Sequence, residues 1–164
     1  MEAYRQKGML VLMNRTLSWL AVLLWMGLIF FFSHQPGEES AALSGGITRW
    51  IHTILTALPL IDFEINVLHT LIRKSAHFFV YLILGVLILH ALLVSRVTLL
   101  RASVYAWLLA TVYAATDEYH QTFIPGRVGD VMDVVIDSLG AITGILIYVF
   151  LYRLWQWQKT RNGA

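Results

Sequence analysis

Cysteine is absent from all 164 residues, so no disulfide scaffold can be built, although that absence leaves the redox compartment open. Charge is scarce too. Only 13% of residues are Asp, Glu, Lys or Arg and 58% are hydrophobic, whereas soluble domains carry about 25% charged and about 45–50% apolar residues. With a mean hydropathy of +0.67, the chain lacks the solvated surface that a water-soluble globule needs. Disorder, coiled coil, collagen and a nucleic-acid partner are excluded. There is no internal repeat and no low-complexity tract, and the apolar runs do not alternate with polar residues as β-barrel strands do. What remains is an all-α, polytopic membrane protein, a single domain over residues 1–164.

A helix crossing the hydrocarbon core, roughly 30 Å thick, needs about 20 apolar residues. Four segments qualify, at about residues 16–33, 75–94, 99–116 and 131–154, the last long enough to tilt. Arg5, Lys7 and Arg15 before the first span raise the question of a signal peptide. Phe30-Phe31-Phe32-Ser33-His34 offers no small-x-small cleavage site, so the span is expected to be retained. Residues 34–72 form a long outer connection. In it Ile47, Trp50, Ile51, Ile54, Leu55 and Leu58 follow helical spacing with Arg49, His52, Thr53 and Thr56 opposite, which predicts an interfacial amphipathic helix. Pro59 is expected to stop it, and Asp62 to cap a second helix that runs on into span two. Residues 95–98 suit a tight turn, and Pro125-Gly126 marks another.

Lys and Arg counts set the expected direction. Eight of the twelve (Arg5, Lys7, Arg15, Arg96, Arg101, Arg153, Lys159 and Arg161) fall on one side, and Arg49, Arg73, Lys74 and Arg127 on the other. Both termini are therefore expected in the cytoplasm. All acids but Glu2 and all histidines but His90 then lie at the outer face, where the chemistry is expected.

Polar residues form stripes there. Asn66, His69, Arg73, His77 and Tyr81 share one face of the second long helix at spacings of three and four. Tyr113, Asp117, His120 and Gln121 share a face of the third, with Glu118 beside it. On the fourth, Asp130, Asp133 and Asp137 lie on one side, extended by Gly140 and Gly144. An acid inside the bilayer costs about 2.5–3.5 kcal/mol on insertion scales, so Asp133 and Asp137 must face protein, water or a cation. The small-xxx-small pair lets a neighbouring helix approach and turns the acidic face inward. The stripes are expected to converge on one outward-open polar cavity. Arg73 and Lys74 also read as interfacial anchors, His34, His52 and His69 as solvated loop residues, and Glu38, Glu39, Asp62 and Glu64 as solvated acids. Trp19, Trp25, Tyr152, Trp155 and Trp157 suit an aromatic belt.

Three blocks carry a resemblance. They are Phe32-Ser33-His34-Gln35-Pro36, then Lys74-Ser75-Ala76-His77-Phe78-Phe79-Val80-Tyr81, and most specifically Asp117-Glu118-Tyr119-His120-Gln121-Thr122-Phe123-Ile124-Pro125-Gly126-Arg127, followed at interval by Asp133 and Gly140. With these, the chain resembles the VanZ-like family of small bacterial membrane proteins over about residues 17–150. Asp130 and Asp137 depart from that pattern, where Ser and Asn are common, and make the site more acidic. The resemblance implies a role in envelope resistance to glycopeptide antibiotics, the teicoplanin type above all.

Three mechanisms stay open at this point. As a binding protein, the chain would hold membrane lipids, a lipid-linked wall precursor or another anionic envelope component, with Arg73, Lys74 and Arg127 on phosphate or carboxylate. The remaining site candidates are His77, Asp117, Glu118, Gln121, Asp133 and Asp137. As an enzyme, it would pair His77 with Asp133 or Asp137 as general base and Glu118 with His120 as acid, although no lipase or serine-protease nucleophile motif is present. As a metal or ion site, it would use His77, Glu118, His120, Asp133 and Asp137, with no local motif setting ligand spacing. The cofactor and the oligomeric state stay open.

Because the chain has no cysteine, every introduced thiol is unique. Ser44→Cys is expected to react with a membrane-impermeant thiol reagent in intact cells, and Asn162→Cys only after permeabilisation. Labelling of position 162 in intact cells would reverse the topology.

Overall fold

Residues 2–56 and 64–162 are described by a computed structural model. Five helices follow one another: α1 (Glu2–Ser33), α2 (Gly37–Thr56), α3 (Ile65–Val94), α4 (Leu99–Gln121) and α5 (Val131–Asn162). Among the described residues there is no strand. Four stretches are long and apolar enough to cross a membrane: Leu12–Ser33, Ile65–Val94, Leu99–Gln121 and Val131–Asn162. Each contains one of the expected spans, and the all-α, multi-pass expectation holds.

The side-chain distribution is that of a bundle packed in lipid. Large apolar residues point outward: Leu24, Leu100, Val112, Leu146 and Phe150 are all exposed. The interior combines large residues of α3, Tyr81, Leu84 and Leu89, with small ones on the facing helices. Ala102, Ala106, Ala110 and Ala114 recur every four residues on α4 and are fully buried, as is Ala141 on α5. Lipid tails are as apolar as Leu, so helices in a membrane associate through close backbone packing rather than through expulsion of apolar surface from water.

α3 is the hub and packs against α1, α2, α4 and α5. It meets α5 most closely. A Cβ on Gly140 would run into the carbonyl oxygen of Phe78, one on Gly144 into that of Leu82, and one on Gly85 would come 2.6 Å from that of Ala141. The expected small-residue pair is thus a seam in which backbone touches backbone. α3 and α5 run parallel because α4 returns the chain between them.

Two turns hold the ends of the bundle. Between α3 and α4, Arg96 takes φ 66°, with its N–H on Leu93 O at 2.9 Å and that of Val97 on Leu92 O at 3.0 Å. This is the paired closure of a Schellman cap. At the other end Gly126 adopts φ 73° while Arg127 N–H donates to Ile124 O at 3.1 Å, so Pro125-Gly126 occupy the middle of a type II turn. Gly37 N–H donates to Pro125 O at 3.1 Å, which ties the start of α2 to that turn.

α2 begins at Gly37, well before the periodic apolar set that starts at Ile47. Glu38 in its first turn favours helix there through the macrodipole, a signal that apolar periodicity does not register. Trp50 and Ile54 are exposed while Thr48 is buried, so the helix turns a polar residue toward the protein and an apolar side outward. The expected stop at Pro59, the cap at Asp62 and the last apolar position, Leu58, lie outside the described residues.

Gly140→Leu is expected to cost more than about 3 kcal/mol, because a side chain inserted against backbone cannot repack. Thermal unfolding in detergent should show the loss, while Leu139→Val on the exposed side of the same turn leaves the transition nearly unchanged.

Candidate functional site: a polar cluster at the end opposite the termini

The alanine stripe of α4 turns acidic in its last two turns. The face that buries Ala110 and Ala114 continues into Asp117, Glu118 and Gln121, each no more than 5% exposed. Gln121 Nε2 donates to Asp117 Oδ2 at 3.4 Å and to Glu118 Oε1 at 3.2 Å. The other carboxylate oxygen of Glu118 accepts the backbone N–H of Asp130 at 3.0 Å. Asp130 in turn caps α5, its Oδ1 accepting the N–H of Met132 at 2.8 Å, as an N-cap side chain does.

α3 supplies the bases. Lys74 Nζ lies 3.2 Å from Asp133 Oδ1 and 3.9 Å from Asp130 Oδ2, and Arg73 Nη2 lies 3.7 Å from Asp133 Oδ2. One turn deeper, His77 Nδ1 is 3.3 Å from Asp137 Oδ1, and Asp137 is fully buried. Bringing α3, α4 and α5 together sets one donor atom each of His77, Glu118 and Asp133 within 4.8 Å of one another. Beside this cluster opens a cavity of about 430 Å³, lined by His69, Arg73 and His77 on one wall and by Gln121 and residues 126–130 on the other.

Arg127 closes the arrangement from the loop. Its guanidinium donates to Phe32 O at 3.1 Å, Gln35 O at 3.2 Å and Gln121 Oε1 at 3.3 Å. One side chain therefore links the end of α1, the following turn and α4. Burial pulls its pKa below the usual arginine range. Arg73 nearby adds to that, while Glu118 and Asp117 pull the other way. It stays a cation at any physiological pH.

All nine residues singled out from the sequence fall in one connected network: Arg73, Lys74, His77, Asp117, Glu118, Gln121, Arg127, Asp133 and Asp137. Others do not join it. His120 Nε2 sits 3.1 Å from His34 Nδ1 and their rings stack, so the expected Glu118–His120 acid pair does not form. Residues two apart on a helix point to different sides. Tyr113 gives its hydroxyl to Met26 O at 2.7 Å and faces α1. His34, read as a solvated loop residue, is exposed in the turn after α1 and also meets His120, whereas His69 is half-buried on α3 at the cavity wall. The backbone roles of Gly37 and Gly129 had no counterpart in the motif reading. A Cβ on Gly129 would stand 2.5 Å from Glu118 O, and the signal for it was its place just before the α5 cap.

The VanZ/LLP1 family model matches residues 18–152. The chain belongs to the VanZ/LLP1 family. The match runs from α1 well into α5, so every residue of the polar cluster lies within the VanZ/LLP1 region, and the family is associated with antibiotic resistance. No curated protein and no solved structure shows a significant match to the chain.

Arg127→Lys keeps the charge but cannot span two backbone carbonyls and a side-chain amide. It is expected to cost about 1.5–3 kcal/mol, the range for hydrogen bonds to a charged group. A lowered thermal midpoint in detergent, with Arg127→Gln lower still, checks this.

Proposed function

We propose that this protein sits in the bacterial inner membrane with both termini in the cytoplasm, and that it binds an anionic envelope lipid or lipid-linked cell-wall precursor in the cavity at its outer face. By holding that component it contributes to resistance to glycopeptide antibiotics of the teicoplanin type. The observation that carries the reading is the state of Arg73. Its side chain is 47% exposed at the cavity wall, and its contact with Asp133 is long, at 3.7 Å. An ion pair this loose and this solvated is worth little. The guanidinium is available to a phosphate or carboxylate, which it binds in a planar fork. Lys74 and Arg127 stand in the same cluster. The family's association with antibiotic resistance supports the physiological half of the reading.

A second reading is favoured by the His77–Asp137 pair. A fully buried carboxylate 3.3 Å from an imidazole nitrogen orients a general base, and Glu118 on the facing helix is a proton donor or acceptor. The protein would then modify the headgroup it binds.

Incubation of the purified protein with lipid-linked wall precursors and with anionic phospholipids in nanodiscs separates the two. Retention of an unchanged lipid, weakened by added salt and by about tenfold or more in Arg73→Gln, is the expected outcome. A mass change in the lipid that disappears in His77→Gln establishes the enzyme. In cells, expression is expected to raise tolerance to teicoplanin above that to unrelated antibiotics. Equal susceptibility with and without verified membrane expression would sink the resistance role.

A further inference from the structure

With every acid ionised, the charges in the polar cluster do not balance. Asp117, Glu118, Asp130, Asp133 and Asp137 share it with three permanent cations, Arg73, Lys74 and Arg127. Four of the five acids are no more than 5% exposed, where an unpaired carboxylate is strongly disfavoured. Hydrogen bonding does not absorb the excess. Asp117 Oδ1 and Asp137 Oδ1 are buried with no partner in hydrogen-bonding geometry among the described residues, although Asp137 Oδ1 stays in electrostatic contact with His77 at 3.3 Å.

We propose that His77, Glu118 and Asp133 bind one divalent transition-metal cation of the zinc or manganese type. This goes beyond headgroup binding, since it needs only these three side chains. Their donor atoms already lie within 4.8 Å of one another. A tetrahedral cation with bonds of about 2.0–2.2 Å holds its donors about 3.3–3.6 Å apart, so a pair at 4.8 Å closes by about 1.5 Å at most. One imidazole with two carboxylates suits zinc or manganese. Calcium and magnesium prefer oxygen alone.

The surroundings of the three donors are those of metal ligands. His77 Nδ1 is directed at Asp137; a cation taken by Nε2 would complete the carboxylate–histidine–metal arrangement that fixes tautomer and ring orientation. Glu118 is held by Gln121 Nε2 at 3.2 Å and by the Asp130 N–H at 3.0 Å. Asp133 is now engaged by Lys74, and a cation would displace that ammonium. Lys74 has a second acceptor in Asp130, 3.9 Å away, so it is not stranded. A divalent cation would bring five ionised acids and three bases to neutrality, and two of its ligands, His77 and Asp133, line the cavity.

The test uses the metal alone. Full-length protein, purified in detergent through an affinity tag free of histidine, is stripped with a chelator and incubated with zinc or manganese chloride. Gel filtration removes the free ion, and elemental analysis gives the ion retained. The expected result is about one ion per chain with a raised thermal midpoint. Affinity should fall at least about tenfold in His77→Gln and Glu118→Gln, and roughly 10–100-fold in Asp137→Asn, which loses only the orienting carboxylate. His120→Gln, outside the cluster, should bind as wild type does. Retention no greater than a buffer blank by folded wild-type protein overturns the proposal, whatever the variants do. Undiminished binding by His77→Gln and Glu118→Gln overturns it as well. No lipid is present, so failure here leaves headgroup binding standing, and the reverse holds.

Discussion

The contact on which the rest of the molecule depends is the backbone seam between α3 and α5. Gly140 against Phe78 and Gly144 against Leu82 set the register of two parallel helices. That register carries outward without a break. Lys74 meets Asp133 at a sequence separation of 59, and His77 meets Asp137 at 60. A slip of one residue along the seam would rotate each acid about 100° away from its base. The polar cluster is therefore not an independent feature added to a bundle. It is what the same interface becomes when its small residues give way to charged ones toward one end.

The α4 helix repeats this logic. Alanine every fourth residue brings it against α3 and α5, and the stripe ends in Asp117, Glu118 and Gln121. Three helices thus carry small residues deep in the bundle and ionisable ones near its end, so close packing and charge meet at one depth. Low dielectric strengthens the coupling among charges there. It also explains why Arg127 is fixed by backbone carbonyls instead of by an acid. A guanidinium on two carbonyls and an amide closes the cluster without taking an acid away from Lys74 or His77.

Much of this was legible in the sequence because membrane helices obey two strong constraints. Spans must be long and apolar, and ionisable residues within them must turn inward. The four spans and the convergence of His77, Asp117, Glu118, Asp133 and Asp137 followed from those rules, while Arg127, in the loop, stood out only through the motif that carries the family resemblance. Angular detail at helix ends was harder to read. Spacing grouped His120 and Tyr113 with Asp117, but α1 supplied His34 and the Met26 carbonyl as competing partners, and no periodicity within α4 reveals what lies across from it. The backbone contacts of Gly37 and Gly129 were hidden for a related reason. They depend on what a missing side chain lets another segment approach, and one segment's pattern does not name its neighbour.

The length of α5 has a consequence for how the site meets the membrane. Its 32 residues span about 48 Å at 1.5 Å per residue, against a hydrocarbon core of roughly 30 Å. Near its C-terminal end Lys159 lies over Trp155 and Arg161 over Trp157, at 5.3 and 5.4 Å, pairs suited to an interface and costly to pull into lipid. A helix anchored in this way answers a thinner bilayer by tilting. The seam then obliges α3 to follow, and the cavity changes its depth relative to the surrounding phosphates. Bilayer thickness becomes a variable that governs which headgroup atoms the cavity can reach, even with every contact inside the bundle unchanged.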